Sequence, residues 1–551
     1  MSILEHFPAE LEPRDIQKEI LNDIEEKINS GFKKIIISAP TGVGKSAIGV
    51  TIGDHFGNSF MITASKNLQD QYIKDHPILH PVKGKSNFSC MQLMEKKRVD
   101  DPILAVTLGL TCEKGKCEES KSSSGAKFCE HKPKIQEFSE GEPPTNMCEY
   151  YTQKYIALTS NHSLWNYHSF FQLMLNKKAF AEYIGKSVSI FDEAHKIEDQ
   201  IIQFIGMRIT KKQLDECDIP ISRYDLNDVD DMILILEGMR KTYGQMLHDM
   251  DDKKIEYDFK KYSRFSDQLA KTARTLENIH QNKENFVIND PQKDIDGDIE
   301  SVEIKPIDIA NFIKFFFDTD YQIFMSATID KKSFCETMGF SETEVAFIDT
   351  PKSPFPLEHR RIDFLNVKKL NNRSTFEDKL EIVNRIDELL TTHSEERGLI
   401  LTSSIHNCTF IKKHLSPKNR NRIRICHSSN PNQKTQDQII KEHENDNTSV
   451  LLSSSLWEGV DLKNDLSRFQ IIAKTPYPPM TEKRTVEKMK RYPLWYDSQT
   501  LMKLLQGFGR SIRSENDWAR TYVLDSTVNF LIFKTKNIVP KAYRDVLNIQ
   551  S

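Results

Sequence analysis

Ala39-Pro-Thr-Gly-Val-Gly-Lys-Ser46 lies between two segments of different periodicity. Ile35-Ile36-Ile37 before it reads as a buried strand, and Ala47 to Val50 after it can open a helix. Strand, glycine-bearing loop and helix in this order is the setting of a phosphate-binding loop. Gly42 and Gly44 let backbone N–H groups turn toward phosphates, and the helix N-terminus that follows favours anions. Lys45 can reach the outer phosphates and the Ser46 hydroxyl can ligate Mg²⁺. The usual first glycine is Ala39 here, so the loop, completed by Pro40, Thr41 and Val43, is a variant.

A second constellation strengthens the first. Val188 to Phe191 read as a strand ending on Asp192-Glu-Ala-His195. A carboxylate at Asp192 can hold Mg²⁺ opposite Ser46, and Glu193 can position or deprotonate the attacking water. Taken alone, Asp192 could equally cap a helix. The loop upstream favours nucleoside-triphosphate hydrolysis.

Outward from these motifs, the chain is long enough for three or four domains at 551 residues. With 38% hydrophobic and 28% charged residues it has an ordinary globular balance. No apolar run reaches the length of a membrane span, and Met1 to Glu12 do not read as a secretory signal. A cytoplasmic protein is expected, nucleoid-associated if prokaryotic. The net charge of −4 gives no global basic signature, so a nucleic-acid role must rest on local patches.

The 147 positions from Lys45 to Asp192 exceed what a plain nucleotide-binding sheet needs, so something is inserted. Five of the nine cysteines, Cys90, Cys112, Cys117, Cys129 and Cys148, fall in this interval. Cys217, Cys335, Cys408 and Cys426 are scattered and read as ordinary buried or surface thiols. After the acidic box, about Lys196 to Gln292 carry helical spacing, as in Leu269, Ala273, Leu276 and Ile279, and read as a second, helical insertion. Strand-like runs return at Ile323 to Met325, Gly398 to Thr402, Ser449 to Leu452 and Gln470 to Ile472, with helical patterns between them. That alternation predicts parallel α/β domains, two in all.

The second half has its own motifs. Ser455 to Asp461 follow a strand, and Gln506-Gly-Phe-Gly-Arg510-Ser-Ile-Arg513 follow an amphipathic run. On a continuous helix Gln506, Arg510 and Arg513 would share one face, suited to a γ-phosphate from another domain, or simply to solvent. Two basic runs, Lys412 to Arg424 and Lys483 to Arg491, the latter followed by Tyr492, Trp495 and Tyr496, offer cations and aromatic faces for single strands. Solvated charged surfaces are the alternative.

Together these motifs resemble the XPD/DinG family of superfamily 2 iron–sulfur helicases, from Arg14 to Arg513. The resemblance implies an α/β fold with two RecA-like parallel-sheet motor domains, and an iron–sulfur insert and a helical arch in the first. The expected division is motor domain 1 at 1–82, 151–197 and 293–332, the cluster domain at 83–150, the arch at 198–292 and motor domain 2 at 333–551. Ser326-Ala-Thr328 resembles the segment coupling ATP to nucleic acid. Trp457-Glu-Gly459-Val-Asp461 resembles one that contacts DNA and nucleotide, Thr475-Pro-Tyr-Pro-Pro479 a Pro-rich family segment, and Arg14 with Gln17 an adenine-reading pair. Leu524-Asp525 is followed by Ser526-Thr527 where the family often has an arginine.

The resemblance extends to Asn87-Phe-Ser-Cys90 and Cys148-Glu-Tyr-Tyr151, and so implies a [4Fe–4S] cluster on four thiolates. Cys90, Cys117, Cys129 and Cys148 are the expected ligands, with Cys112 as substitute; zinc is the chemical alternative. Implied too are ATP and Mg²⁺ as cofactors, 5′ to 3′ movement on single-stranded DNA, forked DNA as a partner, no membrane and a monomer. A DNA-stimulated ATPase acting as a damage- or structure-binding clamp is the rival reading. A nuclease-linked DinG-like helicase is another, disfavoured because the motor begins near Arg14.

Overall fold

The computed structural model describes residues 2–115, 117, 129–138, 144–252, 258–294, 297–427, 434–460, 462–514 and 516–549. The chain runs through β1 (Lys34–Ser38), β2 (Ser59–Thr63), β3 (His80–Val82), β4 (His162–Asn166) and β5 (Val188–Asp192). Next come β6 (Met207–Thr210), β7 (Phe286–Lys293) and β8 (Ile299–Pro306), then β9 (Tyr321–Ser326) and β10 (Val345–Asp349). The second half holds β11 (Ile362–Lys368), β12 (Gly398–Leu401), β13 (Ile423–Cys426), β14 (Val450–Ser453), β15 (Phe469–Ile472) and β16 (Arg520–Asp525).

Among the described residues, seven strands form one parallel sheet in the order β10-β1-β9-β5-β2-β4-β3. Six form a second parallel sheet in the order β11-β16-β15-β12-β14-β13. These are the two expected α/β domains, but β10 pairs with β1, so the first sheet reaches past the expected boundary at 332. Parallel strands are covered on both faces, so they read as unbroken apolar runs. In β1, alternation sends Ile36 into one core and Ile35 with Ile37 into the core on the opposite face. Leu399 and Leu401 against Ile400 repeat this in β12.

The first inserted stretch is built of short pieces, including helices Met91–Lys97 and Pro102–Thr107 and an isolated bridge from Ser89 to Thr111. The second carries two long helices, Val229–Asp251 and Phe259–Gln281, which bury Met232, Ile235, Leu236, Met239 and Tyr243 of the first with Leu276 and Ile279 of the second. It is not wholly helical. β6, β8 and β7 form a three-stranded antiparallel sheet at its base, and the expected boundary at 292 falls inside β7. Only Phe286 and Ile288 of β7 are buried, too short an alternation to register as a strand. Among the described residues no helix is long and apolar enough to cross a membrane.

Candidate functional site

The C-terminal ends of β1, β5 and β9 meet at one edge, because Ser38 lies beside Ser326 and Asp192 beside Met325 in the sheet register. Beyond β1 the loop turns through Gly42 and Gly44, both at left-handed φ (85° and 84°), before the helix Lys45–His55. A side chain is excluded at both. A Cβ on Gly42 would lie 2.4 Å from the Phe355 ring, and one on Gly44 2.5 Å from Gln17 Nε2. The Lys45 ammonium donates to the Ala39 carbonyl at 3.2 Å. Arg14 donates to the carbonyls of Gly42 (2.8 Å) and Val43 (3.1 Å), and Gln17 to that of Gly44 (3.5 Å). Both residues therefore brace the loop from outside. Ser46 is half-buried at the start of the helix.

Asp192 is buried at the end of β5. Its Oδ2 accepts the Tyr72 hydroxyl at 2.9 Å, and its Oδ1 accepts the Glu193 N–H at 2.9 Å. Burial and the neighbouring Glu193 charge push its carboxyl up to about 6, against the opposing pull of Lys45 and the Tyr72 hydrogen bond. Burial also acts upward on Glu193, but the charges of Lys45, His195 and Lys196 outweigh it and hold Glu193 below its ordinary value. Glu193 sits at φ 52°, a left-handed conformation costly for a residue with a side chain. It turns the chain so that His195 Nδ1 reaches Ser326 Oγ at 2.9 Å.

The second sheet domain closes on this edge. Glu458 Oε2 stands 3.0 Å from Lys196 Nζ and 3.5 Å from His195 Nε2. Burial opposes its charge, yet the hydrogen bond from His195 and the charges of His195 and Lys196 hold the carboxyl well below the usual range. Trp457 donates from Nε1 to the Thr402 carbonyl at 3.0 Å and packs so tightly on Gly507 that a Cβ there would meet its ring at 2.8 Å. A cleft of about 380 Å³ lies between the domains, lined by His195, Thr328, Ser403, Glu458 and Gln506 among others. Gly459 turns at φ 85°, and Asp461 lies outside the described residues.

The expected single helical face for Gln506, Arg510 and Arg513 is not found. The helix Pro493–Phe508 stops at Gly509, and both arginines follow in irregular backbone. The turn aims them differently: Arg510 donates to the Gln506 carbonyl (3.3 Å) and the Val460 carbonyl (3.1 Å). A Cβ on Gly509 would lie 3.6 Å from Thr41 Oγ1 of the phosphate-type loop. Phe355 packs with Ile512 of the arginine segment while covering Gly42. Arg510, Arg513 and Glu193 all act on the Tyr543 phenol, which burial pushes up to about 12. The structure thus brings the loop, the acidic box and the arginine segment together across the domain boundary.

All five clustered cysteines are buried. Cys112 Sγ lies 3.5 Å from Cys148 Sγ, and its hydrogen bonding lowers the Cys90 thiol to about 7 and the Cys148 thiol to about 6. A Cβ on Gly115 would lie 2.7 Å from Cys90 Sγ and 3.4 Å from Cys117 Sγ. Cys129 is near enough for the Cys90 and Cys148 charges to raise its thiol, after burial itself. Among the described residues, no three or more His, Cys, Asp or Glu side chains already stand in a metal-holding arrangement. The thiols gather without converging.

Residues 388–544 match the helicase C-terminal domain family, and residues 10–217 match the family described as type III restriction enzyme, res subunit. The chain is 24% identical to the ATP-dependent DNA helicase YoaA of Haemophilus influenzae over 93% of this chain and 91% of that protein. It is 22% identical to the Escherichia coli YoaA over the same shares. A solved XPD helicase superposes with a TM-score of 0.61 at 14% identity, covering 98% of this chain and 99% of that one. The S. tokodaii Xpd4 structure superposes with a TM-score of 0.55 at 15% identity, covering 96% and 99%. In sequence and in fold the chain is similar to the XPD/DinG-like superfamily 2 helicases.

Within this helicase architecture the basic runs serve mainly structure. Arg422 is buried and donates to the carbonyls of Leu390, His393, Glu396 and Thr448. Lys412 donates to the Ile423 carbonyl, Arg420 to that of Leu415, and Arg424 pairs with Asp446. In the second run, Lys488 and Arg484 are buried on Glu198 of the first domain, Lys488 and Arg491 also pair with Asp308, and Lys483 pairs with Asp290. Trp495 donates to Glu198 and Tyr496 stacks on Tyr477. The pattern is a domain joint. Asp525, before the departure at Ser526-Thr527, accepts the N–H groups of Leu370, Thr475 and Thr527, tying two loops to the start of the helix Thr527–Thr535. Sequence reasoning missed Tyr72 and Phe355. For Tyr72 a signal existed, since Gln69, Tyr72 and His76 recur at helical spacing.

Proposed function

We propose that this helicase hydrolyses ATP between its two sheet domains to move 5′ to 3′ along single-stranded DNA and open forked duplex. The observation that carries the reading is the approach of the Gly509–Arg513 segment of the other domain to Thr41 of the phosphate-type loop, with Arg510, Arg513 and Glu193 all acting on Tyr543. The loop amides, Lys45 and the following helix N-terminus bind the phosphates. Ser46 and Asp192 would hold Mg²⁺, which would supply positive charge against the phosphates. Glu193 orients and deprotonates the attacking water, and Arg510 and Arg513 stabilise the transferring phosphoryl group from across the cleft. Arg14 and Gln17 sit beside the loop where an adenine edge would reach them. The Glu458 contact to His195 and Lys196 links the DNA-facing segment of one domain to the acidic box of the other. The family resemblance supplies the polarity and the DNA substrate.

The 83–150 insert has the donor chemistry for a [4Fe–4S] cluster, which would cross-link a loop-rich domain. Cys90, Cys117 and Cys148 are three of its ligands in this reading. The position of Cys112 beside Cys148 and Cys90 favours it over Cys129 as the fourth. With the helical arch, this insert would split the duplex. ATP hydrolysis measured with and without single-stranded DNA tests the reading. Strong stimulation supports it, and a rate indifferent to DNA counts against it.

A further inference from the structure

We infer that Tyr72 is a positioning residue for the Mg²⁺ carboxylate. This rests on the reading of Asp192 as a Mg²⁺ ligand.

Tyr72 lies on the helix Lys66–Asp75, which is not part of the phosphate loop or the acidic box. Its ring is 1% exposed, and its hydroxyl donates to Asp192 Oδ2 at 2.9 Å. The other carboxylate oxygen is held by the Glu193 N–H. With both oxygens fixed, the Asp192 side chain has one orientation available, set in part from a different element. A second tyrosine, Tyr167, donates to the Asp192 backbone carbonyl at 2.9 Å and fixes the end of β5 itself. Of the two tyrosines, Tyr72 is the one that donates to the carboxylate.

The remainder of the helix points elsewhere. Gln69 donates to the Val82 carbonyl at 3.4 Å, Lys66 to Asn87 Oδ1 at 3.0 Å, and Asp70 pairs with Lys83 at 2.6 Å. Val82, Lys83 and Asn87 are the chain leading into Cys90. One short helix therefore touches the base of the cysteine insert on one side and the Asp192 carboxylate on the other.

The test is Mn²⁺ binding, read by electron paramagnetic resonance on the full chain with a non-hydrolysable ATP analogue. Tyr72→Phe removes only the donor. It is expected to weaken Mn²⁺ binding about tenfold, the scale of one hydrogen bond to a charged group, while analogue binding without metal is unchanged. Gln69→Ala disturbs the same helix without touching Asp192 and is expected to bind Mn²⁺ like the wild type. Asp192→Asn is the reference and should abolish the site. Wild-type Mn²⁺ affinity in Y72F with the site lost in D192N overturns the inference and leaves the Asp192 reading standing. Equal losses in Q69A and Y72F also overturn it, because helix packing then explains both. An intact Mn²⁺ site in D192N overturns the Asp192 reading instead.

Discussion

The Glu458 carboxylate of the second sheet domain lies 3.0 Å from the Lys196 ammonium of the first. The same oxygen stands 3.5 Å from His195 Nε2, and His195 in turn reaches Ser326 at the end of β9. This chain of contacts joins three motifs that the sequence separates from one another by more than a hundred residues. Glu458→Gln keeps the shape and removes the charge. It is expected to leave fluorescent-nucleotide affinity within about twofold and to lower DNA-stimulated kcat about tenfold, since the pair acts on the coupled state. Steady-state kinetics with a DNA titration check this; a kcat equal to wild type contradicts it.

Arg510 and Arg513 follow the helix end at Gly509, and that end rests against Thr41. Alanine at either position is expected to reduce kcat by about 10³, because the guanidinium acts on charge that develops in the transition state. KM for ATP should change far less. A higher KM at unchanged kcat would assign them to ground-state binding.

Glu198 gives a pH dependence to the domain joint. Burial alone would raise its carboxyl, but Lys488 and Arg484 hold it at about 2. Its value in the unfolded chain is about 4.3. A carboxyl depressed on folding stabilises the folded state above the unfolded value, and that contribution disappears as pH falls toward the folded one. Thermal unfolding of the wild type should therefore lose stability between about pH 4.5 and pH 2. Glu198→Gln leaves Lys488 and Arg484 uncompensated. It should cost about 3–5 kcal/mol at neutral pH and flatten the acid dependence. Calorimetry of both proteins across this range measures the difference; parallel curves would remove Glu198 from the joint.

The cysteines can be told apart by colour. Cys112→Ser, like Cys90→Ser, Cys117→Ser and Cys148→Ser, is expected to abolish broad visible absorption and bound iron in anaerobically purified protein. Cys129→Ser should retain both. Bleaching by Cys129→Ser with Cys112→Ser coloured would restore the choice of Cys129 that the family resemblance implies, and stoichiometric zinc without iron would replace the cluster.

Much of this was legible locally. The runs at Ile35 to Ile37 and Val188 to Phe191 could be read as buried strands because parallel sheets bury both faces, and each motif sits at the strand end where it was expected. What could not be read was long-range pairing. β7 and β8 are polar on one side and find each other only through the antiparallel register. Arg422, Arg484 and Lys488 look like a nucleic-acid surface until the carbonyls and carboxylates that hold them come from distant segments. The Gln506–Arg513 spacing suggested one helix, but the helix stops at Gly509, beside Thr41 of the other domain and two residues past Gly507, on which Trp457 packs. Local pattern carries secondary structure well and the partners of buried charge poorly.

Strand separation tests the central claim most directly. A forked duplex with a 5′ single-stranded tail is mixed with the wild-type chain, Lys45→Ala and Glu193→Gln, each with Mg·ATP. The wild type should release the labelled strand only with hydrolysable ATP. Lys45→Ala should fail through weakened phosphate binding, and Glu193→Gln should hold ATP and DNA without releasing the strand. Strand release by either variant at the wild-type rate, or none by a wild type whose ATP hydrolysis responds to DNA, would contradict the account.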